Sequence, residues 1–340
     1  QNVQVSMTTT TGALSPTRGF ALVNASAVFA RHVQTQGGDE GVFSEQSIWV
    51  CKDMILIGWA GFGVRHVGNG GAVRIDEALT QVAGGAVGGI CVSLEGQGEH
   101  VLRSVACQNN GSAGSRGISV VPPVLDTVDR VQIDDCSVNS AEIGIQLGDP
   151  LFGSVTDISV VNSSVDFASV YGIAILNTLS ALCHVKGNKI STLIAGPGHA
   201  IWTQGLRHEV EGNHVQHSNI NLSSIAVLLE SSRTTFRGNT VEFRDEFGVV
   251  GLEPRLTIGG NEITALDALT TNSVLLRSAA DHSTVVGNTV EQIFLGNLNP
   301  AVEAGASFCT VGDNSIQVAL NAPVSPGIVL SGDNNTCGFN

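Results

Sequence analysis

Apolar and polar residues alternate in short bursts along the second half of the chain, and the bursts repeat. Val185-Lys186-Gly187-Asn188-Lys189-Ile190 returns as Val210-Glu211-Gly212-Asn213-His214-Val215 and as Phe236-Arg237-Gly238-Asn239-Thr240-Val241. Further copies are Ile258-Gly259-Gly260-Asn261-Glu262-Ile263, Val285-Val286-Gly287-Asn288-Thr289-Val290 and Val311-Gly312-Asp313-Asn314-Ser315-Ile316. The Asn positions are 188, 213, 239, 261, 288 and 314, separated by 22 to 27 residues, and such a period marks a repeat architecture. Apolar residues lie three before and two after each Asn. Gly and Asn both tolerate a positive φ, so each copy predicts two short strands meeting at a tight corner.

A second apolar run precedes each corner, as in Gly144-Ile145-Gln146-Leu147, Gly172-Ile173-Ala174-Ile175, Ala200-Ile201-Trp202 and Ala226-Val227-Leu228-Leu229. Each repeat therefore supplies about three short strands and no helix. Strands this short can bury one face only by coiling so that successive turns stack. The predicted fold is all-β, a right-handed parallel β-helix of about ten coils, roughly 50 Å long at the usual strand separation of about 4.8 Å. The repeated Asn is expected to stack into an internal amide ladder that satisfies buried corner backbone. Val-x-Gly-Asn-x-Val/Ile alternating with Gly-Ile-x-Leu resembles the right-handed parallel β-helix proteins of the pectin-lyase-like class, over roughly residues 46 to 340. That class includes polysaccharide lyases, glycoside hydrolases, epimerases, tailspikes and adhesins. No catalytic motif of any one family is matched, so the resemblance implies a fold and carries no residue roles.

Two regions are expected to make up the chain: residues 1–45 as an N-terminal arm and capping helix, and residues 46–340 as the β-helix. Residues 1 to 16 are polar and Thr-rich, whereas Phe20, Val23, Val28, Phe29 and Val33 among small residues predict an amphipathic helix closing the first coil. The Gly-rich stretch from 61 to 90 reads as an excursion with a helix at Asp76 to Val82.

Composition agrees with thin layers of small apolar side chains: 41 Gly, 42% hydrophobic residues and only 5% aromatic. A net charge of −14 argues against nucleic acid or an anionic membrane surface as partner, and no segment is apolar for long enough to insert into a membrane. The start at Gln1 is equally compatible with a mature exported protein and with an artificial start, and the expected location, extracellular or on a virion surface, comes with a polysaccharide-binding reading. Seven Cys leave at least one unpaired; Cys107 and Cys136, near one corner of neighbouring coils, form the best placed pair, and Cys183 and Cys309 read as buried thiols.

The candidate chemistry lies at irregular outward positions. Residues three and five before each Asn face inward and those four and six before face outward, because strand side chains alternate. The position six before reads Arg207, Arg233 and Arg255, then His282. With Glu230 and Glu253 just upstream, these Arg outline a groove for an acidic or hydroxyl-rich sugar: Arg holds the substrate, the two Glu are the catalytic candidates, and Trp202 offers a stacking surface. The competing reading is a solvated ion-pair network between coils. His199 and His217 are further general-base candidates. His199, His208, His214 and His217 match no zinc spacing, so no metal and no cofactor is implied. Thr235, Thr257, Thr284 and Thr310 form an outward rank whose companion positions, Arg237, Gly259, Val286 and Gly312, do not repeat it. Outward Trp202, Leu228, Val250, Leu275 and Val329 predict an exposed apolar face along which rods associate, a trimer being favoured. Two functions follow: a polysaccharide-binding β-helix protein that acts as glycan lyase or glycoside hydrolase in a surface groove, or a non-enzymatic structural or adhesive trimeric rod.

Overall fold

The computed structural model describes residues 17–338 except 84–85, 123–125, 152, 195–197, 220–223, 245, 267–271, 294–299 and 319–326. The polar arm expected over residues 1 to 16 lies outside that set. The chain is a right-handed parallel β-helix of about eleven coils, with every named strand pair parallel and no helix among the described residues. Each regular coil contributes one strand to each of three sheets. In one coil these are His199–Leu206 in the first sheet, Glu209–Glu211 in the second and His214–Asn219 in the third. They pair with Ile225–Ser232, Thr235–Arg237 and Thr240–Arg244 of the next coil.

The repeated Asn is the internal ladder. Asn188, Asn213, Asn239, Asn261 and Asn288 are buried, and each donates one Nδ2 hydrogen to the Oδ1 of the next Asn at 2.8–3.0 Å. The second Nδ2 hydrogen goes back one coil, as from Asn239 to the Val210 carbonyl at 3.0 Å. Each Oδ1 also accepts a backbone N–H, as Asn239 does from Asn213 at 2.9 Å. A corner that water cannot reach is thereby fully satisfied.

The residue before each Asn has a positive φ, and this corner continues far beyond the Gly-Asn copies. His32, Asp53, Glu77, Ser104, Asp135 and Asn162 extend the column N-terminally with φ of 50–61°. The residues behind them are Val33, Met54, Ala78, Val105, Cys136 and Ser163, so the ladder position there is filled by mostly apolar side chains. A left-handed conformation costs a non-glycine residue roughly 1–2 kcal/mol, which stacking of the next coil offsets. In the first sheet, small residues are imposed by close coils: a Cβ on Gly144 would meet the Gly172 carbonyl oxygen at 2.5 Å.

Two predicted helices are strand instead. The segment from Phe20 to Val33 belongs to Arg18–Val23 and Val28–Glu45, and Asp76 to Val82 belongs to Ala72–Val82. Their apolar spacing also satisfies strands once a positive φ at His32 and at Glu77 re-phases the alternation around the corner. Cys107 and Cys136, the best placed pair, are not bonded. Cys107 aligns with Val138, while Cys136 sits back in the corner column. All seven Cys are free, and Cys183 and Cys309 are buried.

Histidines cap a second corner, five residues before the ladder position. Nδ1 of His208 accepts from the Cys183 N–H at 3.1 Å while Nε2–H donates to the Gln204 carbonyl at 2.8 Å. His100 makes the equivalent pair with Val73 N–H and the Gly96 carbonyl. Both sites need the neutral ring, since a proton on Nδ1 would oppose a backbone N–H. Burial lowers His66 and His208 to about 4 and His217 to about 3.

Two outcomes are expected. Asn239→Ala strands the backbone and side-chain donors of Asn213 and should lose on the order of 3 kcal/mol of stability in urea titrations, with the fold retained. Because the unfolded chain takes up these histidine protons near pH 6.5 and the native chain resists until about pH 4, stability should fall as pH drops through that window. Each of His66 and His208 accounts for on the order of 3 kcal/mol, and a urea midpoint independent of pH between 7 and 4 would contradict the assignment.

Candidate functional site

Register along the first sheet determines which outward side chains meet. Tyr171 pairs with His199 and Ala174 with Trp202, and Trp202 then pairs with Leu228 two residues before Glu230. The rings of Tyr171 and Trp202 are 5.1 Å apart, those of His199 and Trp202 5.7 Å, and those of Tyr171 and His199 6.0 Å. Glu230 reaches back one coil, where its Oε2 accepts from Trp202 Nε1 and from Gln204 Nε2, both at 3.0 Å. Gln204 is held in turn by the Asn177 N–H, donating to its Oε1 at 3.0 Å. Three coils thus place an aromatic platform, a carboxylate and an amide on one half-buried outward face.

His199 donates Nδ1–H to the Ile225 carbonyl at 2.8 Å, which leaves Nε2 as the basic nitrogen. Burial lowers its pKa, against the opposing pull of the Ile225 bond and of Glu230. Tyr171 is raised, first by burial and then by Glu142 and Glu230. A neutral imidazole beside a protonated phenol can pass a proton in either direction, and the Trp202 ring can lie against a sugar face.

The other predicted residues stand elsewhere. Arg207, Arg233 and Arg255 stack in consecutive coils as expected, exposed, and all three have positive φ of 57–64°. They mark the second corner, in a column that runs from Arg130 and Asp157 to His282 and Phe308, whose rings stack at 5.0 Å. Glu253 is exposed beyond the end of the strand Phe247–Gly251. Among the described residues neither Glu230 nor Glu253 forms an ion pair with these Arg, and the two carboxylates share no partner. His217 is buried between Thr192 and Ser224, inside the coil. Among the described residues no three His, Cys, Asp or Glu side chains converge for a metal.

The expected exposed apolar face is only partly open: Trp202, Leu275 and Val329 are half-buried. Leu228 is 6% and Val250 0% accessible within the single chain. A hollow of about 420 Å³ lies at the N-terminal corner between His32, Asp53, Glu77 and Ser104, many coils from Trp202.

Tyr171 and Gln204 were not singled out by sequence reasoning, although a signal existed. Tyr171 is the chain's single Tyr and occupies, in Tyr171-Gly172-Ile173, the place that His199 occupies in the next repeat. Farther along the same face, Arg116 Nε, Ser119 Oγ and Gln146 Oε1 are buried without a hydrogen-bond partner among the described residues, and Ser119 pairs in register with Gln146.

No protein-family model and no curated protein sequence matches this chain. Among solved structures it is similar to the A-module of the Azotobacter vinelandii mannuronan C-5 epimerase AlgE6, at 14% identity over 91% of this chain and 90% of that one, TM-score 0.46. It is also similar to a PL6 alginate lyase in complex with a trisaccharide, at 10% identity over 92% and 79%, TM-score 0.45. A third is the Streptococcus pneumoniae surface protein and adhesin PfbA, at 10% identity over 94% and 90%, TM-score 0.42.

The tautomer assignment carries its own test. A long-range nitrogen–proton NMR spectrum at pH 7 should show His199 neutral with the proton on Nδ1, titrating below the ordinary histidine range. A proton on Nε2 at that pH would remove it as a base.

Proposed function

We propose that this protein binds a polysaccharide along the outward face of its first sheet, with Trp202 and Tyr171 as the stacking platform and Glu230 and Gln204 as partners for sugar hydroxyls. The observation that carries the reading is the bond network on Glu230: Trp202 and Gln204 hold one carboxylate oxygen in place beside half-buried rings. Protein sites for hydroxyl-rich ligands combine such fixed polar groups with an aromatic wall. His199 Nε2 is the group best prepared to move a proton there. The reading therefore favours proton abstraction next to a sugar carboxylate over attack by paired carboxylates, since Glu253 has no part in the cluster. Arg207 and Arg233 at the adjoining corner supply the positive charge that would hold an acidic chain, in a protein that is otherwise acidic. A place outside the cell or on a virion surface accords with such a ligand.

The second reading is a structural or adhesive rod, trimeric through an apolar face. It stands behind the first because that face is largely covered at Leu228 and Val250.

A panel of acidic and neutral oligosaccharides, followed by calorimetry and by absorbance of unsaturated uronates, separates the two. Binding is expected to weaken about tenfold in Trp202→Ala, the loss of one aromatic contact. Turnover, where it occurs, should be abolished in His199→Gln and reduced in Glu230→Gln. Wild-type affinity in Trp202→Ala and Glu230→Ala together would overturn the site.

A further inference from the structure

Between Asp166 and Ala168 the strand Ser164–Ala168 of the third sheet carries one residue more than the facing stretch of its partner Lys189–Ile194. Asp166 pairs with Ser191 and Ala168 with Thr192, so Phe167 is a bulge. It has φ of 60° and is 61% accessible. A large aromatic side chain in a left-handed conformation is an outlier, and bulges serve to re-aim side chains near binding sites. The preceding coil makes the same left-handed turn with Ser140, φ 55°, so the backbone conformation belongs to the turn, and what the fold leaves unexplained is the large exposed ring placed on it.

Beside Phe167 lies a second hollow of about 340 Å³, within the range of small-ligand sites. Leu193, 53% accessible, adds a further apolar side chain. Gln216, Glu242 and Arg244 line it from the next two coils, and Gln216 Nε2 donates to Glu242 Oε2 at 3.2 Å. Its floor is rigid: Thr192 Oγ1 bonds the buried His217 ring. A hollow lined by an aromatic ring together with an amide, a carboxylate and a guanidinium has the chemistry that recognises sugar units: a C–H face packs on the aromatic and hydroxyls meet the polar groups.

We infer that the Phe167 hollow is a second carbohydrate site, on a different sheet from Trp202, taking one or two sugar units of a hydroxyl-rich chain. The inference extends the polysaccharide reading and rests on it for the ligand class. Two independent sites on one rod raise the apparent affinity for a long polymer far above that for a short oligosaccharide, through effective concentration.

Calorimetric titration of the intact chain with the same panel of acidic and neutral oligosaccharides, in wild type and in single variants, tests the inference. Wild type is expected to show two sites. Phe167→Gly should lose one of them and also unfold at a higher temperature, because glycine relieves the left-handed backbone; a lost site in a more stable protein cannot be attributed to misfolding. Phe167→Trp keeps the ring and should retain binding within a few fold. Trp202→Ala should leave the Phe167 site intact. A stoichiometry of one that Phe167→Gly does not alter would overturn the second site while leaving the first. Binding lost in Phe167→Gly but untouched by Trp202→Ala would keep this site and overturn the Trp202 reading. No sugar bound, with Phe167-dependent uptake of an apolar dye only, would sink both.

Discussion

Parallel coils stack only if each turn closes at the same place, and here closure depends on one backbone conformation repeated at one corner. From His32 to Asp313 the residue at that corner has a positive φ, whichever side chain it carries. The corner points the following side chain inward, where it must either fill space or satisfy backbone groups that water cannot reach. Both solutions occur in one molecule: Val33, Met54, Ala78 and Val105 fill space, and Asn188 to Asn314 satisfy backbone. Sheet register, and hence every outward juxtaposition, follows from this closure.

Legibility from sequence followed the same division. Where the corner needed an amide, Gly-Asn was close to the one available answer, and the coils from Asn188 onward could be read residue by residue. Where it needed volume, any apolar residue of suitable size sufficed, and Asp53, Glu77 or Ser104 took the strained position without a compositional signal. That is why the N-terminal strands were read as helices around Phe20 to Val33 and Asp76 to Val82. Periodicity alone cannot separate a helix from strands that change phase at a corner.

The site was legible only in part, for a geometric reason. Trp202 and Glu230 could be recognised as outward residues, but their mutual bond links positions 28 residues apart and needs the exact number of residues in one coil. Tyr171 joins them because its coil places it beside His199. The Arg column was found for the right periodic reason, yet its residues occupy the bend just beyond the strand that holds Glu230 and not the strand itself. Sequence repeats reveal columns well. They reveal contacts between columns poorly, because those depend on how each corner turns.

The change of filling at the corner bears on how such a chain can grow. In the amide half each Asn meets the same two neighbours, one above and one below, so a whole coil could be duplicated or excised and the seam would close on an identical bond pattern. The apolar half has no such interchangeability: Met54 packs between Val33 and Ala78, and an inserted copy would set two bulky or two small groups together. Length is thus an adjustable quantity at one end of the rod and a fixed one at the other. The boundary, at Cys136 and Ser163, is where a lineage of such rods would be free to begin varying in reach.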